Sequence, residues 1–285
     1  MRFFLLTSIL WFVTPLVAFA SAEGGHKGGH EALPLYADRI LEELPITNSM
    51  VMTWVAALLV VLFARVATRK MAAVPNGLQN LAEWLVESLY DFLEGILGPH
   101  LVKRTFWFFG GVFILILITN WIGLLPFVGT WRYGNAAVLR GGNADLNMTA
   151  ALALVATVLW FYWALTENGL VGFFKHIFAP KGDFKGLMKM LMIVIFGLVG
   201  VIEVFSILLR PVALSFRLFG NVYAGENMLE TMMKMVPEHL AFLPALPFYF
   251  LELLVGLIQA LVFMLLTAVF LQLICDHGDD HEEAH

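Results

Sequence analysis

The 285-residue chain holds a single cysteine, Cys275, so no disulfide framework can form within it. Charge is scarce as well. Asp, Glu, Lys and Arg make up 14% of residues against 60% hydrophobic ones, far from the balance of a soluble domain. No self-similarity recurs at a period of 20–50 residues, which excludes solenoids and propellers. There is no glycine-rich phosphate loop and no zinc-spaced Cys/His set, and nothing marks a nucleic-acid interface. The net charge of −5 comes largely from an acidic C-terminal tail and says little about partners.

What the chain has instead is long apolar runs. The expected fold is all-α: a polytopic membrane protein with about five membrane helices, an interfacial amphipathic helix and a long, strongly tilted C-terminal helical hairpin. Residues 1–22 carry Arg2, an apolar run from Phe3 to Phe19, and small residues at Ala18, Ala20 and Ala22. That is the pattern of a secretory signal, with cleavage after Ala20 or Ala22; a retained helix, shortened by Thr14 and Pro15, is the alternative. Residues 23–49 read as an exterior linker, and His26 and His30 as part of its solvated Gly/His-rich start rather than a metal site.

The membrane domain is expected over 50–275. Met50–Ala67 is a first span, and Arg65, Arg69 and Lys70 mark its cytoplasmic end. After Pro75 and Gly77, the stretch Leu78–Leu97 has apolar residues at Leu81, Leu85, Leu89, Phe92 and Leu93 with acids elsewhere, the pattern of an interfacial helix. Lys103 and Arg104 precede an outward span, Phe106–Phe127, that should stop within Thr119–Pro126. A Gly- and Asn-rich exterior loop follows at 129–146. A third span, Leu146–Leu165, opens on Asp145, which is placed to cap it.

Lys175, Lys181, Lys185 and Lys189 mark a cytoplasmic loop. From Gly186 to Met235 only Pro211 interrupts a helix that would be about 75 Å long, and Leu243–Ile274 would run about 48 Å. Both exceed a hydrocarbon core of about 30 Å, hence the tilt. The acidic tail, 276–285, is read as a solvated cytoplasmic end.

One residue stands out against this apolar background. Arg217 lies in RPVALSFRLFGNVYAGE, Arg210–Glu226, with no acid within eight positions. A guanidinium keeps its proton at any working pH, and an intramembrane charge costs roughly 3 kcal/mol or more, which marks a functional site. Ala213, Gly220, Asn221 and Ala224 share its helix face, so another backbone can approach closely there. Glu226, nine residues on, falls on the opposite face about 13 Å further along the axis.

Other polar groups are spread on both sides of the arginine. Glu203 and Ser206 precede it, Asn221 and Glu226 follow it, and Glu252 and Gln259 share one face of the last helix. Neither set crosses the membrane alone. A mobile partner with its own buried carboxylate would carry ions past Arg217, which favours the ionised carboxylate and blocks direct leak.

The arginine run, with ELLVGLIQALVFMLLTAVF at Glu252–Phe270 and the TNWIGLLP and DLNMT segments, closely resembles subunit a of the F-type ATP synthase. The resemblance covers roughly Met50–Ile274. It implies a stator subunit in a bacterial inner membrane, with its N-terminus outside after signal cleavage and its C-terminus in the cytoplasm. It also implies as partners the c-ring, b-type peripheral stalk subunits and the remaining synthase subunits.

By that resemblance Arg217 faces the c-ring carboxylates. Glu226, Glu252, Gln259, Asn221 and Asp145 line an exterior half-channel, and Glu203 and Ser206 belong to a cytoplasmic one. No cofactor is expected, and no nucleotide catalysis in this chain. Sodium as coupling ion is an open alternative. An independent secondary transporter with an anionic substrate at Arg217 is another, although it should show internal repeats and none is found. Two features depart from the family pattern: the expected signal with its His-rich linker, and Glu252, where some relatives carry a histidine. Two neighbouring carboxylates disfavour joint ionisation.

Overall fold

The first helix, α1 (Asn48–Ala67), is almost wholly apolar, and its start is fixed by Thr47, whose side chain accepts a hydrogen bond from the Met50 amide at 3.4 Å. Such a cap satisfies one of the donors that the first turn leaves open. The structure, a computed structural model, describes residues 37, 46–125, 128, 132–133, 136–137, 140–178, 187–235, 237 and 242–275. The expected signal at 1–22, most of the linker at 23–49 and the tail at 276–285 lie outside the described residues, as do Lys181 and Lys185 of the four lysines that marked the cytoplasmic loop.

Helix α2 spans Leu78–Gly123 and contains one break, at Gly98 (φ 76°), followed by Pro99. Glycine accepts the left-handed φ without a Cβ penalty, and proline, which lacks an N–H and fixes φ, begins the next helix well. The break separates the stretch read as interfacial, Leu78–Leu97, from the apolar second half. That second half begins at Pro99, so it takes in Lys103 and Arg104, earlier than the expected Phe106. It ends at Gly123, inside the expected stop.

Beyond it, Arg132–Tyr133 (β1) pairs antiparallel with Ala136–Ala137 (β2), a two-residue ladder in the loop. A single 3-10 turn, Gly142–Ala144, then leads into α3, Leu146–Phe178. Gly169 (φ 68°) breaks α3, past the expected end at Leu165. Helices α4 (Leu187–Lys234, with Pro211 inside) and α5 (Phe242–Cys275, with Pro247 inside) complete the chain. Both match the expected long C-terminal elements.

All five helices have a stretch long and apolar enough to cross a membrane. The protein is all-α, apart from the short ladder.

Helix α2 packs most extensively on α5, and α3 on α4. The core they share runs from Leu93 and Phe109 on α2 through Trp163 on α3 to Leu218 on α4 and Phe263 and Leu271 on α5. Trp163 meets the Phe108 ring edge-on, with centroids 5.6 Å apart, a favourable aromatic geometry. By contrast α4 buries little of itself. Leu198, Ile202, Phe205, Leu209 and Phe216 are exposed along it.

Candidate functional site

Helix α4 divides its polar groups between two faces. Arg217 is exposed and makes no ion pair or hydrogen bond among the described residues. Ala213 and Phe216 are exposed beside it. Nine residues on and half a turn round, Glu226 points into the bundle. There it lines a narrow cleft between α2, α4, α5 and the segment before α3.

The cleft's polar lining comes from Thr119, Asn120, Asn143, Glu226, Glu252 and Gln259. Three of these, Glu226, Glu252 and Gln259, were expected from the sequence to act together, and the fold brings them to one cleft. Glu252 is 8% exposed. It lies against the Gly225 backbone so closely that a Cβ on that residue would collide with the carboxylate. Gly141 approaches Glu226 in the same way, and a Cβ there would be 2.5 Å from Oε1. Two glycines therefore make room for two carboxylates.

Asn120 and Asn143 are residues that sequence reasoning passed over. The Asn143 amide donates to Asn120 Oδ1 at 2.7 Å, and Asn120 Nδ2 donates to the Gly256 carbonyl at 3.1 Å. One turn away Trp121 Nε1 donates to the Leu253 carbonyl at 3.1 Å. These bonds fix α5 to α2 on both sides of the turn that follows Glu252. Asn120 stood inside the TNWIGLLP run, and that motif was the available signal. Its pairing with Asn143 across a loop had no local signature.

The remaining expected residues lie elsewhere. Asn221 is half-buried and is not part of the cleft lining. Asp145 is buried and also outside that lining. Its Oδ2 accepts from Ser49 Oγ at 2.6 Å, and its Oδ1 from the Asn147 amide at 3.0 Å. It thus caps α3 and ties it to the start of α1, which is the capping role the sequence offered. Ser206 is exposed. Glu203 accepts a hydrogen bond from Arg210 Nη2 at 3.0 Å, a pairing that sequence reasoning did not anticipate. Among the described residues no group of three or more His, Cys, Asp or Glu side chains is gathered to hold a metal ion.

A family model described as ATP synthase A chain matches residues 50–272. That range is most of the chain and takes in every residue of the cleft. The chain belongs to the ATP synthase subunit a family. Subunit a of Gloeobacter violaceus is 34% identical over 235 residues, covering 82% of this chain and 86% of that protein. The chloroplastic subunit a of Stigeoclonium helveticum is 31% identical, covering 82% of this chain and 84% of that protein. Subunit a of Solidesulfovibrio magneticus is 31% identical, covering 82% and 86%. This subunit a family member is thus an apolar, multi-helix chain whose exposed arginine and acidic cleft both fall inside the matched range.

Proposed function

We propose that this chain is the stator subunit of the membrane sector of a rotary ATP synthase, and that it carries protons to and from a ring of small subunits through two offset half-channels. The observation that carries the reading is the position of Arg217. It is a permanent cation on the open apolar face of α4, with no counter-charge among the described residues. A charge left that way at membrane depth is expensive unless a partner supplies the carboxylate. The ring carboxylates are that partner here, ionised as they pass Arg217 and protonated on either side of it.

The half-channel toward the exterior is the cleft of Glu226, Glu252 and Gln259, with Asn120 and Asn143 adding donors and acceptors for water. Asn221, next to the arginine on its helix face, belongs at the inner end of that path. Asp145 supports it from outside by holding α1 to α3. Glu203 and Ser206 serve the cytoplasmic half-channel, about 21 and 16 Å along α4 from Arg217. Glu226 is about 13 Å away in the other direction. The acids therefore flank the arginine along the helix, and neither group reaches past it. In this reading α4 and α5 tilt to follow the ring, and Leu78–Leu97 lies in the membrane interface. Nucleotide chemistry belongs to other subunits of the synthase.

The test is Arg217→Ala in membrane vesicles carrying the whole complex, with ATP-driven acidification and passive proton leak followed together. Loss of pumping with assembly intact supports the reading, and added leak shows the arginine acting as the seal. Normal pumping overturns it.

A further inference from the structure

Seven residues before Arg217, a second arginine occupies a different environment. Arg210 and Glu203 are also seven apart, two turns of α4, so they share a face. Their ion pair joins a side chain 17% exposed to one 45% exposed. The guanidinium does not extend toward solvent as a snorkelling arginine would. Its central carbon lies 4.0 Å from the Phe270 ring centroid and 5.4 Å from that of Trp160. These are cation–π distances, with one ring from α5 and one from α3. Arg210 Nε is buried and makes no hydrogen bond among the described residues, so the rings stand where polar partners would otherwise be.

Resting on the functional reading above, we propose that Arg210 is a positioning residue for Glu203: an aromatic clamp from α3 and α5 fixes the guanidinium, and the guanidinium in turn fixes the carboxylate that serves the second half-channel. The geometry leaves the carboxylate two unlike oxygens. Oε1 accepts from Arg210, while Oε2 has no hydrogen bond among the described residues and belongs to a half-exposed side chain. One oxygen is held and the other is available to take or release a proton.

Behind the pair is a small pocket where Ala156, Thr157 and Trp160 of α3 and Thr267 and Phe270 of α5 face Arg210. None of these five carries a titratable group, so no charge from those two helices competes with Glu203 for the guanidinium there. A carboxylate on α4 without this arrangement would have the rotamer freedom of any exposed glutamate, and proton transfer depends on holding the group within hydrogen-bond reach.

The experiment uses the complete synthase in inverted vesicles. ATP-driven acidification is measured for Arg210→Gln, Arg210→Lys, Glu203→Gln, the Arg210→Gln/Glu203→Gln double variant and Phe270→Leu, each normalised to the amount of assembled complex. Arg210→Gln should slow pumping roughly fivefold, and Arg210→Lys should recover part of that rate. The double variant should be no slower than the slower single one, because both changes disable one unit. Phe270→Leu keeps both charges and removes a clamp wall, so it tests the proposal even where Arg210→Gln fails to assemble. It should slow pumping roughly twofold.

Multiplicative losses in the double variant, or normal pumping by both Arg210→Gln and Phe270→Leu, would overturn the assignment. Arg217→Ala is run alongside. If it abolishes pumping while the Arg210 and Phe270 variants pump normally, the clamp idea fails and the half-channel reading stands. If Arg217→Ala pumps normally, that reading fails first.

Discussion

The Glu252 carboxylate occupies the space that a side chain at residue 225 would need. Gly225 is on α4 and Glu252 on α5, so the glycine lets the Glu252 carboxylate lie against the α4 backbone. It also fixes where the carboxylate rests relative to Glu226, the next residue after the glycine.

A methyl group at residue 225 should therefore disturb the cleft directly. In Gly225→Ala the helix itself is favoured, since alanine is the better helix former, but the Glu252 carboxylate must turn away. Pumping is expected to fall roughly tenfold with the complex still assembled, as for displacement of a proton-transfer group from its working position. Shortening the acid with Glu252→Asp in the Gly225→Ala background should restore part of the rate. Acidification measured in vesicles of the single and double variants decides the matter, and no recovery in the double variant would refute the steric account.

Glu226 and Glu252 line one cleft, so their losses should not multiply. If each single Gln variant slows pumping roughly tenfold, the double variant should be slower by far less than the roughly hundredfold of independent steps. The same vesicle assay measures this. A full hundredfold loss would mean the two acids act in separate steps.

Asn120 is 6% exposed and joins Asn143 to the Gly256 carbonyl. Replacing it by leucine leaves both partners without their bond in a buried place, at a cost of about 1–3 kcal/mol. The expected outcome is a lower melting temperature of the purified complex together with reduced pumping. Asn120→Asp retains an acceptor for Asn143 but sets a buried carboxylate oxygen against the Gly256 carbonyl, so it too should lower the melting temperature.

Asp145 separates a structural role from a channel role. Asp145→Asn keeps its one side-chain oxygen for the Asn147 amide and turns its NH2 toward Ser49 Oγ, which then accepts instead of donating, and asparagine caps as well as aspartate. It should leave stability within about 1 kcal/mol, whereas Asp145→Ala should cost about 1–3 kcal/mol through the lost cap and the lost tie to α1. Thermal denaturation of the complex reads the difference. If pumping is lost in Asp145→Asn while stability is retained, the carboxylate itself takes part in transfer.

The long apolar runs made the five helices legible in sequence, because a membrane span needs about 20 such residues and tolerates few charges. Proline and glycine marked some breaks and missed others. Pro99 stood in plain view, yet the second span was begun at Phe106, because Lys103 and Arg104 were read as flanking charges rather than as part of the helix. The break at Gly169 was missed, since a lone glycine in a helical pattern does not announce a left-handed φ.

In the site, seven-residue spacing placed Glu252 and Gln259 on one face correctly. The same spacing puts Glu203 and Arg210 on one face, a relation the sequence reading did not draw, and the rings that hold Arg210 come from residues about 50 and 60 positions away in the chain, Trp160 and Phe270. Contacts of that kind depend on how helices pack, and nothing local in the sequence encodes them. Asn143 and Asn120 meet for the same reason.

The open face of α4 has one further consequence. From Val194 to Arg217 its exposed polar groups are Ser206, Arg217 and the half-exposed Glu203, and the rest of that face is Val, Leu, Ile, Phe and Ala. A surface of this kind grips a neighbour by dispersion, which is weak for each atom pair and has little directionality, and in lipid it gains no hydrophobic drive for association. A body sliding across it breaks no ladder of hydrogen bonds at each step. On the proposed rotary reading this surface would serve as a low-friction bearing, with Arg217 as its detent.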